Sequence, residues 1–441
     1  MLFHTRHSLK RADVIKGSIY SYSNHLVRKM QLNKSSLTSS RSWQSWIGSL
    51  LLILVAGLIA YRRIRSTPPE LLDFYNAYYP AGKIIFEDPD RLYSFAKSII
   101  LGFVNLPIIA YLLTPFSVLD EYPAGVLFTL MGVGSAILSG WLLIKLAKLS
   151  GWRQTVFILL LLINTPIYYS LWLGNSTQTV FLFVIASFLC FRLKRDVWSG
   201  VFLAIAGLLK IPLLFPILYF VLRKRWQVVK GFFATLVATF GLSVVVCGLN
   251  LNLTWFKECI LAFSGKVVTA YNVQSVDSFV IRLVTNAPID TWEYTEGSWL
   301  FKLLRYSLFL ILIGGTLLVM MRARQVESAA VENLEFSSFL CLALLVSPIS
   351  WTHYYLVLLL PIALYLGGQL GIPTRWPWTA AMALSILLLS APNVRNVPFS
   401  NPVLAAFTRH FLVSHFFWGG VLFLSILLAA RWRLGLASSQ E

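Results

Sequence analysis

Few side chains in this sequence are suited to chemistry, and they are scattered along an otherwise apolar chain. Asp73 stands in LLDFYNAYYPAGKIIFEDPDRLYS, shortly after the first hydrophobic stretch. A carboxylate among aromatic residues just outside a bilayer is placed to take a proton from a hydroxyl group. The plainer readings are an exposed loop aspartate or a helix N-cap. Lys210 is a lone cation between two short apolar runs, FLAIAGLL being followed by the break at Lys210-Ile211-Pro212. A charge in such surroundings is costly and marks ion or substrate sites, unless the side chain snorkels to the interface. His353, after Trp351 in SPISWTHYY, is a hydrogen-bonding group or a turn-capping histidine. NVQSVDSFVIRL supplies Gln274, Ser275 and Arg282, and Arg282 either neutralises an anion or pairs with Asp277. Glu70 reads as a solvated loop charge. Glu87, Asp88 and Asp90 are oxygen ligands for a divalent cation, but the turn at Pro89 favours a plain acidic turn.

The elements that must position these groups are membrane helices. Of 441 residues, 57% are hydrophobic and only 12% charged, with mean hydropathy +0.71. Soluble domains carry about a quarter charged residues. Apolar runs recur at 43–60, 123–144, 154–173, 177–191, 197–209, 212–222, 227–248, 299–321, 336–350, 353–369, 377–391 and 411–430. Several are shorter than the roughly 20 residues that one crossing needs. The pair meeting at Lys210 is broken by Pro212, and irregular backbone at depth requires protein or a water-filled cavity around it. The expected fold is an all-α polytopic bundle of about twelve transmembrane helices. Residues 1–42 form a basic, disordered tail attracted to anionic lipid, 43–430 a single transmembrane domain, and 431–441 a second tail. No cleavable signal peptide is expected, because no h-region follows the N-terminus at the usual distance.

Charge sets the orientation. The tail 1–42 and the loops KLAKLSGWR, RLKRD, RKRWQVVK, RAR and RWR are basic, so they fall on the cytoplasmic side with both termini. Arg62, Arg63 and Arg65 then lie outside, outweighed by the tail. The scheme holds only if 101–119 does not cross, so that segment reads as a re-entrant or interfacial helix pair. It leaves two large outer loops, about 61–122 and about 250–298. The net charge of +19 follows this membrane pattern, split among loops, which argues against nucleic acid as a partner. Cys190, Cys247, Cys259 and Cys341 have no paired spacing and read as small core hydrophobes.

Several segments, taken in order, resemble glycosyltransferase family 87, polytopic enzymes of the GT-C class that include polyprenyl-phosphate-mannose-dependent α-mannosyltransferases. They are DFYNAYYPAGKIIFEDPDRLYS, NLPIIAYLLTPFSVL, GNSTQTVFLFVIASFLCFRLKRDVWSGVFLAIAGLLKIPLLFPILYFVLRKRW, NVQSVDSFVIRL and SPISWTHYY, covering roughly 61–370. The family's Gly-Gln-x-Asn appears here as Gly174-Asn175-Ser176-Thr177-Gln178. The resemblance implies a GT-C-like fold with the active site outside the membrane. Asp73 would be the base, with Lys210, Arg282 and His353 on the donor phosphate. Tyr75, Asn175, Gln178, Gln274, Ser275 and Trp351 would contact sugar or acceptor, and Tyr354 could stack on a sugar face. The implied partners are a polyprenyl-phosphate hexose, most plausibly mannose, a glycolipid or glycan acceptor, and membrane lipids.

Such a donor already leaves as phosphate, so one carboxylate suffices, and neither a cofactor nor a strict metal requirement is expected. No Gly-rich nucleotide loop or acidic metal-nucleotide motif appears in a cytoplasmic segment, which disfavours a nucleotide-sugar donor. Two alternatives remain at this stage: a transporter or flippase of lipid-linked saccharide, and a structural subunit of an envelope complex. A transporter places polar groups at the bilayer midplane in matched halves, whereas here they gather at one mouth without internal duplication. A structural subunit predicts no dependence on Asp73.

Overall fold

The computed structural model describes residues 70–94, 102–261, 266–322, 328–398 and 400–437. The N-terminal tail, the first expected span at 43–60 and Arg62, Arg63 and Arg65 lie outside them. Nearly all described secondary structure is helical. Six helices are long and apolar enough to cross a membrane: Glu121–Leu146, Gly151–Leu173, Trp226–Cys247, Trp299–Arg322, Ala329–Val346 and His415–Gly435. Shorter apolar helices, among them Thr177–Arg192, Asp196–Leu209, Ile211–Leu222, Thr352–Leu366 and Trp376–Ser390, occupy other expected span positions.

Local chemistry explains the breaks. Residues 151–173 divide at Asn164-Thr165-Pro166, where Pro166 has no N–H and the Asn164 side chain accepts from the Ile167 N–H (3.4 Å). The second half ends at Gly174, whose φ of +65° is the left-handed conformation that glycine adopts without steric penalty. Lys210 is extended (φ −139°, ψ 97°) between Asp196–Leu209 and a 3₁₀ turn opened by Ile211-Pro212. Helices Asp196–Leu209 and Trp226–Cys247 touch backbone to backbone. A Cβ on Gly200 would lie 2.0 Å from the Val228 carbonyl oxygen, and one on Gly231 2.2 Å from that of Val197. The last helix continues past residue 431 to Ala437, so the expected second tail starts as helix.

Two outer-loop expectations take definite form. Instead of a helix pair, 101–119 holds one helix, Pro107–Ser117, paired with Tyr79–Glu87. Ser117 Oγ donates to the Tyr79 carbonyl at 2.7 Å. At about 1.5 Å per residue the Pro107–Ser117 helix rises about 16 Å, half of the ~30 Å hydrocarbon core. The loop after residue 248 is not all helix: Lys266–Val268 pairs antiparallel with Tyr294–Glu296. The β-branched and aromatic residues Val267, Val268, Tyr294 and Thr295 suit such a pairing.

The basic loops converge at one end of the bundle. Arg223 and Arg431 both bind Glu335, Arg225 binds Glu332, Arg192 donates to Asn333 (2.8 Å), and Arg322 lies over Trp432. Asp73 and its neighbours lie at the opposite end.

Candidate active site

Asp73 is held by its neighbours in sequence. The Leu71 N–H donates to the Trp172 carbonyl at 3.0 Å. Phe74 is fully buried, with its ring 4.7 Å from that of Phe128. These two anchors press Asp73 against the turn at Gly174-Asn175. Asp73 occupies an N-cap position but makes no capping bond. Its carboxylate accepts instead from Asn175 Nδ2. Asn175 cannot turn the other way, because its Oδ1 accepts from the Thr177 N–H (3.1 Å) and hydroxyl (2.6 Å). With its amide nitrogen toward Asn175, Gln178 donates to the Asn175 carbonyl at 2.7 Å and braces the turn. The Asp73 residue is half-buried by area, yet its carboxyl group is enclosed by protein. Burial raises its pKa above the ordinary 3.8, against the opposing pull of the Asn175 hydrogen bond and the Lys210 charge.

Lys210 brings the cation. It is 8% exposed, with Nζ 5.0 Å from the centre of the Tyr354 ring and beside the hydroxyls of Tyr78 and Tyr354. Tyr78 also lies 3.4 Å from the Ser176 hydroxyl, next to Asn175. His353 sits within range of the same charge. It is 3% exposed, and neither ring nitrogen has a hydrogen-bond partner among the described residues. Rings wall it in: Trp351 lies parallel at 6.4 Å, Tyr354 edge-on at 4.9 Å and Tyr169 at 6.2 Å. A buried imidazole with two unused nitrogens beside a cation is poised to bind a polar ligand. The cluster can accept a proton at Asp73 and hold an anion at Lys210.

Residues 103–348 match the sequence profile of glycosyltransferase family 87. The chain belongs to that family. It is therefore a membrane glycosyltransferase, with a sugar donor and an acceptor as its substrates. No curated protein matches the chain. The family match contains Asn175 and Lys210, and the fold carries Asp73 and His353, from either side of it, to the same place.

Several other residues named from the sequence have partners within the described fold. Arg282 is fully buried and donates through Nη1 to the carbonyls of Thr269 (3.3 Å), Ala270 (3.0 Å) and Val273 (2.9 Å), and through Nε to Ser414 (3.2 Å). Burial lowers its pKa to about 9. Of its two readings, the pair with Asp277 is not formed: Asp277 pairs with Arg305 at 2.8 Å. Gln274 Nε2 donates to the carbonyls of Tyr271 and Val413 (2.6 and 2.7 Å), and Ser275 caps helix Val276–Val284. Tyr75 turns its hydroxyl toward Gly125. Trp351 bridges to Val273 and flanks His353. Glu70, Glu87, Asp88 and Asp90 are exposed, and no group of three or more His, Cys, Asp or Glu is arranged for a metal among the described residues.

The sequence reading missed a shelf beside His353. Tyr169 accepts from Asn272 Nδ2 (2.9 Å), whose Oδ1 accepts from Trp292 Nε1 (3.0 Å). Arg395 lies over Trp172 (5.5 Å) and Tyr271 (5.6 Å). Tyr78 was missed too, although it follows Asp73 by little more than one helical turn; the aromatic content of that stretch was its only signal.

Proposed function

We propose that the enzyme transfers a hexose, most plausibly mannose, from a polyprenyl-phosphate donor to a hydroxyl of an envelope glycolipid or glycan on the extracytoplasmic face. The observation that carries this is the pairing of a protein-enclosed carboxylate, Asp73, with a buried ammonium, Lys210, in one polar cluster. In this reading Asp73 takes the proton from the acceptor hydroxyl as the sugar leaves its phosphate. Lys210 holds the departing phosphate as a point charge. His353 contacts phosphate or a sugar hydroxyl. The phosphate leaves with its charge already carried, so no strong acid is needed. A single displacement inverts the anomeric centre, and a β-linked donor yields an α-linked product.

The test is a transfer assay with the purified enzyme in vesicles, a panel of polyprenyl-phosphate sugars and wild type beside Asp73→Asn and Lys210→Ala. Transfer by wild type, its loss in Asp73→Asn with donor binding retained, and weaker donor binding by about 1.5–3 kcal/mol in Lys210→Ala are the expected results. Lys210→Arg should not restore binding fully, because a planar fork replaces a point charge. Activity should survive a chelator. Loss restored by magnesium or manganese, transfer from a nucleotide sugar alone, or near wild-type turnover in Asp73→Asn would overturn the reading.

A further inference from the structure

The opposite end of the bundle holds two adjoining cavities that the reaction does not use. One, of about 380 Å³, is lined by Lys148, Arg192 and Asn333 together with the first residues of helix Ala329–Val346. The other, of about 210 Å³, runs between helices Glu121–Leu146 and Thr177–Arg192, lined by Trp141, Ile185 and Leu189 with Lys145 at its end. Leu146 borders both, so an apolar groove leads into a basic pocket.

Charge decides what fits. No acidic residue lines either cavity. Of the carboxylates at that end, Glu332 is engaged by Arg225 and Glu335 by Arg223 and Arg431, and Asp196, at the start of helix Asp196–Leu209, lines neither cavity. Arg192 reaches only neutral acceptors, Asn333 Oδ1 (2.8 Å) and the Ala329 carbonyl (3.5 Å). Lys145 and Lys148 have no carboxylate partner among the described residues. Three cations, backbone N–H groups at a helix start and a groove for a hydrocarbon chain together describe an anionic lipid.

We infer that this is a binding site for an anionic phospholipid of the surrounding bilayer. The headgroup phosphate sits between Lys148 and Arg192, and one acyl chain lies in the groove beside Trp141. The site joins two loops, 145–153 and 192–195, to the start of helix Ala329–Val346. It lies at the far end of helix Thr177–Arg192 from Asn175, about 24 Å away at 1.5 Å per residue.

The test follows the unfolding midpoint of the detergent-solubilised enzyme as dioleoyl-phosphatidylglycerol is added. Parallel titrations use dioleoyl-phosphatidylcholine, dibutyryl-phosphatidylglycerol and inorganic phosphate. Only the long-chain anionic lipid should raise the midpoint. In Lys145→Gln/Lys148→Gln its apparent affinity should fall about 30-fold, the effect of two basic residues near a membrane surface. Lys194→Gln, on the neighbouring loop but outside the cavities, should bind as wild type does. Equal stabilisation by phosphatidylcholine, full stabilisation by phosphate or the short-chain lipid, or equal loss in Lys194→Gln would each overturn the site.

Discussion

A carboxylate is most comfortable in water, and Asp73 is held away from it. Because its pKa is raised in the folded protein, the folded state binds the Asp73 proton more tightly than the unfolded chain does. That contribution to stability is present below the ordinary value of 3.8 and is lost as pH rises through the folded value. At neutral pH the ionised group therefore opposes folding. Asp73→Asn should melt at or above the wild-type temperature while turnover falls by about 10²–10⁴, the usual contribution of a general base. A melting temperature well below wild type would show that the carboxylate is structural. With Asp73 as the proposed base, the ionised form is the active one, so the acidic limb of the rate profile should lie above 3.8. Asn175→Ala removes the hydrogen bond that lowers the pKa and should move that limb to higher pH; movement to lower pH would contradict the arrangement. Asp73, Lys210 and His353 stood out because each is a polar group that an apolar chain does not ordinarily carry, whereas Asn175 was named only through the family resemblance. Arg282 and Gln274 had the same look, but their partners are backbone carbonyls, which no residue pattern spells out.

At the scale of elements, the turn at Gly174 does the positioning. A Cβ there would meet the Phe74 Cβ at 2.8 Å and the Leu71 backbone at 3.2 Å, in a conformation that side chains rarely adopt. Gly174→Ala should cost about 1–2 kcal/mol of backbone strain and push the 71–74 segment off Asn175. Turnover should fall while donor binding at Lys210 changes little. A variant with full turnover would mean that the Asp73–Asn175 contact is dispensable. Helix positions were largely readable from hydropathy, since each expected run from 123–144 onward contains a helix. The break at Asn164 and the β pairing at Lys266–Val268 were not, because both depend on local hydrogen bonds inside a hydrophobic or mixed stretch.

At the scale of the molecule, the two ends differ in kind. One gathers the arginines of separate loops onto Glu332 and Glu335, and the other gathers the site. That polarity matches the positive-inside pattern. Cysteines placed near Asp73 and at Asn396 should label from outside, and one at Lys194 only after permeabilisation. Labelling at Lys194 from outside would reverse the orientation from residue 120 onward. The membrane side was argued from loop charge alone, and the convergence of those loops on two glutamates was beyond the reach of any single segment.

The order in which the site's pieces are made has its own consequence. Asp73 leaves the ribosome early, Asn175 and Lys210 later, and His353 and Tyr354 much later, so at ~5–20 residues per second the aspartate waits tens of seconds for its company. Until Asn175 and Lys210 emerge it has neither the amide that lowers its pKa nor the cation beside it. A chain that stops before residue 353 therefore carries the carboxylate without the complete cluster around it.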